Sequence, residues 1–194
     1  MIRRLKLIIG PATELFTNVG AVAFARIDAD AATEDDSLIT SLVKAARRTA
    51  ERYTRRAFIT QTWEISLDDQ PSVIELPFGQ IQSITSVKIL KEDETSIKER
   101  STNYSFTTGD MARVWLRTGY TWTTTTRRHD VMRIRFVCGY GDASTDVPED
   151  IMEATKQIFT YYYENREMAT MVGELDMIPV TARILLDNEK IYSV

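Results

Sequence analysis

One histidine and one cysteine are all that this 194-residue chain offers to imidazole or thiol chemistry. His129 stands in TWTTTTRRHD, a threonine- and arginine-rich run with no apolar period. A triad built on it would set a loop residue against a nucleophile that no elbow motif presents, so a surface loop position is expected. Cys138 alternates with Arg135 and Phe136 and reads as a small buried hydrophobe. A lone cysteine also excludes an internal disulfide and fits a reducing compartment, and with a single histidine it cannot complete the four ligands of a structural zinc site. Asp28, Asp30 and the acidic group at 34–36 resemble the start of a calcium loop, but Ala32 and Thr33 stand where a ligand and the turn glycine belong. Asp142, Ser144, Asp146 and Glu153 are spaced more closely to that loop, yet Val147 replaces the glycine and Pro148 follows. Both segments read as helix caps and solvated acids. No GxxxxGK[ST] or GxGxxG run cradles a phosphate. The expectation is a chain without catalytic residues, metal or cofactor, and not an enzyme.

Cations are the more informative group. Lys44, Arg47, Arg48, Arg52, Arg55 and Arg56 crowd one segment, and Arg117, Trp122, Arg127 and Arg128 combine cations with an aromatic ring. Either set could meet phosphates. The whole chain nevertheless carries net charge -4 and a pI near 5.2, unlike a dedicated nucleic-acid domain. Residues 1–58 hold ten Lys/Arg against seven Asp/Glu, whereas residues 146–194 hold four against ten. Opposed ends of this kind could meet head to tail in self-assembly, although scatter over solvated helix faces accounts for the same distribution. The basic segment is therefore expected to pair with acidic residues of a neighbouring subunit, with phosphate contact as the alternative.

The elements that must carry these residues follow from periodicity. Hydrophobic residues make up 43% and charged residues 27%, ordinary globular usage. The longest apolar runs, LKLIIG and GAVAFA, are far shorter than the ~20 residues of a membrane span. Arg3, Arg4 and Lys6 precede the first run as in a signal peptide, but Pro11 and Glu14 end it and no cleavage pattern follows. Leu15, Phe16, Val19, Val22 and Ala23 predict a short helix between Pro11 and Ile27, with Thr13 as N-cap and Gly20 inside it. Thr33 and Asp36 predict the start of a second helix, with Leu38, Ile39, Leu42, Val43, Ala46, Ala50 and Tyr53 on its apolar stripe and Lys44, Arg48, Arg52 and Arg55 on another face. From Phe58 to about Gly141 the period becomes two, in ITQTWEISLD, SVIELP, ITSVKILKED, NYSFTT, ARVWLR and VMRIRFVCGYG. Residues 121–130 are expected as an exposed loop. Pro148 suits a first helical turn, and Ile151, Met152, Ala154, Ile158, Phe159 and Tyr162 continue that helix to about Asn165. Residues 167–178 read as a loop, a last helix from Pro179 buries Val180, Ile184 and Leu185, and 187–194 form a tail. The fold class expected is α+β: a small helical bundle of N- and C-terminal helices (about 11–57 and 148–186) with an inserted antiparallel β unit of five or six strands (about 58–141), all within one domain of 1–194.

Three blocks then carry a resemblance. ARIDADAATEDDSLITSLVKAARRTAERYTRRAFITQTWEISLD (25–69), IELPFGQIQSITSVKIL (74–90) and MRIRFVCGYGDASTDVPEDIMEATKQIFTYYYENRE (132–167) occur in an order that resembles the phage head-tail connector (adaptor) family of siphophage necks and gene transfer agents. The chain departs from that pattern in TELFTNVGAVAF and in its acidic LLDNEKIYSV ending. The resemblance implies a structural virion protein of the neck, assembled in the host bacterial cytoplasm. It implies a homo-oligomeric ring, about twelve-fold, with a heterologous interface below the portal protein. Such a ring extends the channel for double-stranded DNA, which passes without sequence-specific binding, and meets the next neck or tail-completion protein, with no membrane involved. It also implies that the C-terminal segment reaches the portal, making Ile191, Tyr192 and Val194 the docking candidates, beside the cations 44–56 as subunit-interface or channel candidates. A DNA-packaging or DNA-binding accessory protein is the alternative reading.

Overall fold

The computed structural model describes residues 3–165 and 178–191. The chain divides into two compact units, Met1–Pro11 with Thr60–Tyr140 and Ala12–Ile59 with Gly141–Val194.

The first unit is all β. Its strands are β1 (Arg3–Ile9), β2 (Gln61–Leu67), β3 (Val73–Glu75), β4 (Ile81–Leu90), β5 (Ser96–Lys98), β6 (Tyr104–Phe106), β7 (Arg113–Leu116) and β8 (Met132–Cys138). They form an antiparallel sheet in the order β1-β2-β8-β4-β5 and a second in the order β3-β7-β6. Alternation decides which side of the large sheet is dry. Met132, Ile134, Phe136 and Cys138 are buried, while Arg133 and Arg135 between them are half-exposed. Opposite them on β2, Leu67, Ile65 and Trp63 pair with Met132, Ile134 and Phe136, so one register sets a continuous apolar row. On the other face, Arg135 pairs across the strands with Glu64 at 2.9 Å.

All six segments with period two are strands. The other two strands have separate causes. β5 is three residues long, too short to show a period, and is held by a hairpin in which the Asp93 carboxylate accepts from the Thr95 amide (3.0 Å) and hydroxyl (2.6 Å). β1 overlaps LKLIIG, which length alone sets aside as a membrane span; along the strand Leu5, Leu7 and Ile9 alternate with Arg4, Lys6 and Ile8.

The threonine-rich loop at 121–130 has no regular structure but is anchored. Trp122 is buried and its indole N–H donates to the Pro71 carbonyl (2.9 Å), the Thr123 amide donates to the Glu99 carboxylate (2.9 Å), and the Thr125 hydroxyl donates to the Leu90 carbonyl (2.8 Å). Hydroxyl and indole donors give irregular backbone the partners that a ladder would otherwise supply, a cause that periodicity does not register. At the loop's end Asp130 takes a left-handed φ of 52°, and its carboxylate receives the Arg133 Nε at 3.1 Å.

The second unit is helical: α1 (Asn18–Ala25), α2 (Ala29–Glu34), α3 (Asp36–Thr54), α4 (Glu149–Glu164) and α5 (Val180–Asp187). Ile39, Val43, Ala46 and Ala50 of α3 are buried, as are Ile151, Ala154, Ile158 and Phe159 of α4. Phe16 meets Phe159 edge to face at 6.1 Å between ring centroids. Polar pairs fix the helices lengthwise: the Tyr163 hydroxyl donates to Asp35 (2.9 Å), and Asn18 donates to Asp36 (2.8 Å) and Thr40 (2.7 Å).

Three local expectations are corrected. The first helix begins at Asn18, not near Thr13, because the Thr17 hydroxyl accepts the Gly20 amide (3.1 Å) as its N-cap; Thr13 instead donates to the Asp142 carbonyl (3.1 Å). Thr33 does not open the basic helix: its hydroxyl donates to Ala29 O (3.0 Å) within α2, and α3 starts after Asp35. On α5 the buried residues are Ala182 and Leu186, while Val180 and Ile184 are exposed. The small Ala182 permits close approach, with Thr181 donating to Gln157 of α4 at 2.7 Å. Of the loop expected at 167–178, only Ile178 lies among the described residues.

Hydrogen bonds from the Arg133 guanidinium hold the Asp130 carboxyl below its ordinary 3.8. A carboxyl depressed in the folded state adds stability that is present above about pH 4 and is lost as pH falls through the folded value. Asp130→Asn should therefore unfold at lower denaturant concentration than the parent at neutral pH, and the gap between the two should narrow as the medium is acidified below about pH 4.

Candidate assembly surface

The six cations expected to act together are carried by α3 and the two residues after it, and the fold separates them. At 3.6 residues per turn, Lys44, Arg48 and Arg52 repeat every four positions and stay on one side, roughly opposite the buried line of Ile39, Val43, Ala46 and Ala50. All three are exposed and have no hydrogen-bonding or ion-pairing partner among the described residues. Arg55 is exposed as well and caps the helix in a left-handed conformation, φ 58°.

Arg47 is only 5% exposed. Its Nε lies 2.7 Å from Glu14 and its Nη1 lies 2.6 Å from Glu51. The other oxygen of Glu51 accepts the Phe58 amide at 3.1 Å. Burial by itself would lower the Arg47 guanidinium, but the hydrogen bond to Glu14 and the charge of Glu51 outweigh it, and the pKa is raised above its ordinary value. Arg56 is likewise buried, donating from Nε to the Glu189 carbonyl with the Glu189 carboxylate 3.9 Å away. Two of the six cations thus hold the unit together, and four face outward.

Glu51 stands four residues from Arg47, a spacing that signals the pair in the sequence. Glu14 stands 33 residues away with no local signal, and only the packing of the segment before α1 brings it in.

The acidic residues before α3 divide in the same way. Asp35 and Asp36 are engaged by Tyr163 and Asn18, whereas Asp28, Asp30 and Glu34, on and beside α2, are exposed. Among the described residues no ion pair or side-chain hydrogen bond engages these three carboxylates. On α1, Val19 is 79% exposed, and Phe24 is 38% exposed with the Lys156 ammonium 5.6 Å from the centre of its ring.

Of the C-terminal docking candidates, Ile191 is half-buried and its amide donates to the Thr54 carbonyl at 3.0 Å, while Lys190 places its ammonium 4.1 Å from the centre of the Tyr53 ring. The tail is thereby fixed to the end of α3 as far as residue 191. Tyr192 and Val194 lie outside the described residues.

The other candidates come to less. His129 has its side chain 82% exposed, with Nδ1 4.0 Å from Asp68. Asp146 accepts the Ala143 amide (3.0 Å) in a turn of its own. An open cleft of about 410 Å³ lies between the Lys91–Asp93 turn and Thr124–Thr126. Among the described residues no group of three or more His, Cys, Asp or Glu could hold a metal ion, and no helix is long and apolar enough to cross a membrane.

Truncating a buried, paired arginine leaves two carboxylates uncompensated, whereas truncating an exposed one removes little. Arg47→Ala should lower stability by about 3–5 kcal/mol, and Arg48→Ala on the next residue should stay within about 0.5 kcal/mol of the parent, read as chemical-denaturation midpoints.

Residues 23–115 match the family model described as phage gp6-like head-tail connector protein. Over its whole length the chain is similar to a structure described as the neck of an empty GTA particle computed with C6 symmetry, with TM-score 0.81 and 17% identity over 98% of this chain and 97% of that one. It is also similar to a chain in the virion of a native gene transfer agent particle (TM-score 0.79, 16% identity, 98% and 96% covered). A third similar structure is the neck of a native GTA particle computed with C12 symmetry (TM-score 0.74, 16% identity, 98% and 97% covered). Among curated proteins nothing matches. The resemblance to head-tail connectors read from the three sequence blocks is borne out, and at these identities the structural likeness speaks for the fold.

Proposed function

We propose that this chain, which carries the gp6-like head-tail connector sequence over residues 23–115, is a structural virion protein of the neck, with its two units serving as one connector domain. The observation that carries this reading is the backbone likeness over 98% of the chain to neck structures of gene transfer agents, combined with the independent family match.

Copies of the chain form a closed ring, about twelve-fold, in which one face of each subunit meets a different face of the next. The ring sits below the portal protein and continues the DNA channel without reading base sequence. Its far side receives the next neck or tail-completion component. Such a subunit needs no strong single contact. A ring that engages a coaxial ring does so through many copies at once, and once the first contacts form, the remaining ones become effectively intramolecular. The portal-facing segment is the C-terminal one, Ile191, Tyr192 and Val194, of which the Ile191 amide donates to the Thr54 carbonyl.

A second reading, a DNA-binding or DNA-packaging accessory, is favoured by one observation: the exposed row of Lys44, Arg48 and Arg52, which has no partner among the described residues. It requires duplex DNA to be retained with a steep salt dependence and released by Arg48→Glu with Arg52→Glu.

The isolated protein is expected to sediment as a monomer or a mixture, and to co-purify as a larger assembly with the portal protein of the same virus. A tight dimer in analytical ultracentrifugation, indifferent to the portal, contradicts the ring.

A further inference from the structure

Charge is segregated along α3. Its outward strip carries Lys44, Arg48 and Arg52 over about 12 Å of helix, at a rise of 1.5 Å per residue, and no carboxylate stands among them. Arg47 and Arg56 of the same segment are buried against the carboxylates of Glu14, Glu51 and Glu189. Just before the same helix, α2 and its flank present Asp28, Asp30 and Glu34 as three exposed carboxylates, next in sequence to α1, where Val19 is exposed and Phe24 is partly exposed beside Lys156.

We infer that these are the two halves of one contact between copies of this chain: the Lys44/Arg48/Arg52 strip of one subunit seats on the Asp28/Asp30/Glu34 surface of the next, with Val19 and Phe24 as its apolar anchors. The inference rests on the ring reading above and names the faces it joins.

Three observations support a second copy as the occupant. The charges are equal in number and opposite in sign. They lie on different elements of one unit, so the contact is heterologous, joining unlike faces as a ring requires, whereas two basic strips facing each other across a two-fold axis would repel. The acidic half also supplies what a purely electrostatic patch lacks, exposed large apolar side chains that gain by leaving water. Duplex DNA would use the basic strip alone and leave the acidic surface with no role. The pairing is solvent-exposed, so it sets register and orientation, weakens with salt, and relies on repetition around the ring for strength.

Cross-linking on rings assembled with the portal protein of the same virus tests this directly. Cys138 is fully buried, so cysteines introduced at the surface are the reactive ones. A mixture of Arg52→Cys and Asp30→Cys chains should give cross-linked pairs with a short bis-maleimide, each chain alone should give none, and the double variant should give a ladder. Reversal of the strip, Lys44→Glu with Arg48→Glu and Arg52→Glu, should cut the yield of rings about tenfold or more, and Asp28→Lys with Asp30→Lys and Glu34→Lys on the same chain should restore it. Cross-linked pairs from Arg52→Cys alone overturn the proposal, because they require like faces to meet. Rings that form without any cross-link overturn it while leaving the ring reading intact. Absence of rings with the unmodified chain defeats both. Intact rings that lose duplex-DNA retention on reversal of the strip assign it to DNA and also overturn the proposal.

Discussion

The buried contact of Arg47 with Glu14 and Glu51 is the constraint on which the helical unit turns. A guanidinium only 5% exposed must be paired, or the unit bears an uncompensated charge in a poorly hydrated place. Pairing it fixes more than one element. Glu14 draws in the segment ahead of α1, Glu51 lies one turn further along α3, and the second oxygen of Glu51 takes the Phe58 amide just past the end of the helix, within RAFITQTW. The rotation of α3 follows from this. With Arg47 turned inward, the 3.6-residue repeat leaves Lys44, Arg48 and Arg52 facing out. The surface available for assembly is thus settled by what the interior requires.

Most of the fold was legible because its elements announce themselves by period. α3 and α4 carry long apolar stripes bounded by acids, by proline and by a left-handed cap, and all six segments with period two are strands. The misreadings share a physical form. Thr13 and Thr33 looked like caps by residue type, but a threonine hydroxyl bonds equally well to a carbonyl four residues back or far away, and tertiary packing chose among these. On α5, Val180 and Ile184 are more apolar than Ala182, yet Ala182 is buried together with Leu186 four residues on, because the helix is turned to place that pair on its packed side.

The candidate surface was less legible than the fold. Six neighbouring cations in a sequence look alike; burial divides them into structural and exposed groups, and the division depends on Glu14 and Glu189, 33 and 133 residues from their partners. The acidic counterpart was hidden for a similar reason. Residues 34–36 read as one helix start, whereas the structure gives Asp35 and Asp36 to Tyr163 and Asn18 and leaves Asp28, Asp30 and Glu34 outside. The proposed connector role would need only such modest, separated patches, because closed symmetry multiplies each contact and a weak interface repeated around a ring holds without a tight dimer.

The central claim, a ring stacked on a portal, is tested most directly by electron microscopy of this protein assembled with the portal protein of its own virus. The account predicts a closed ring of these subunits coaxial with the portal, with an open central channel. Subunits scattered on the portal surface, or a portal left bare, would contradict it.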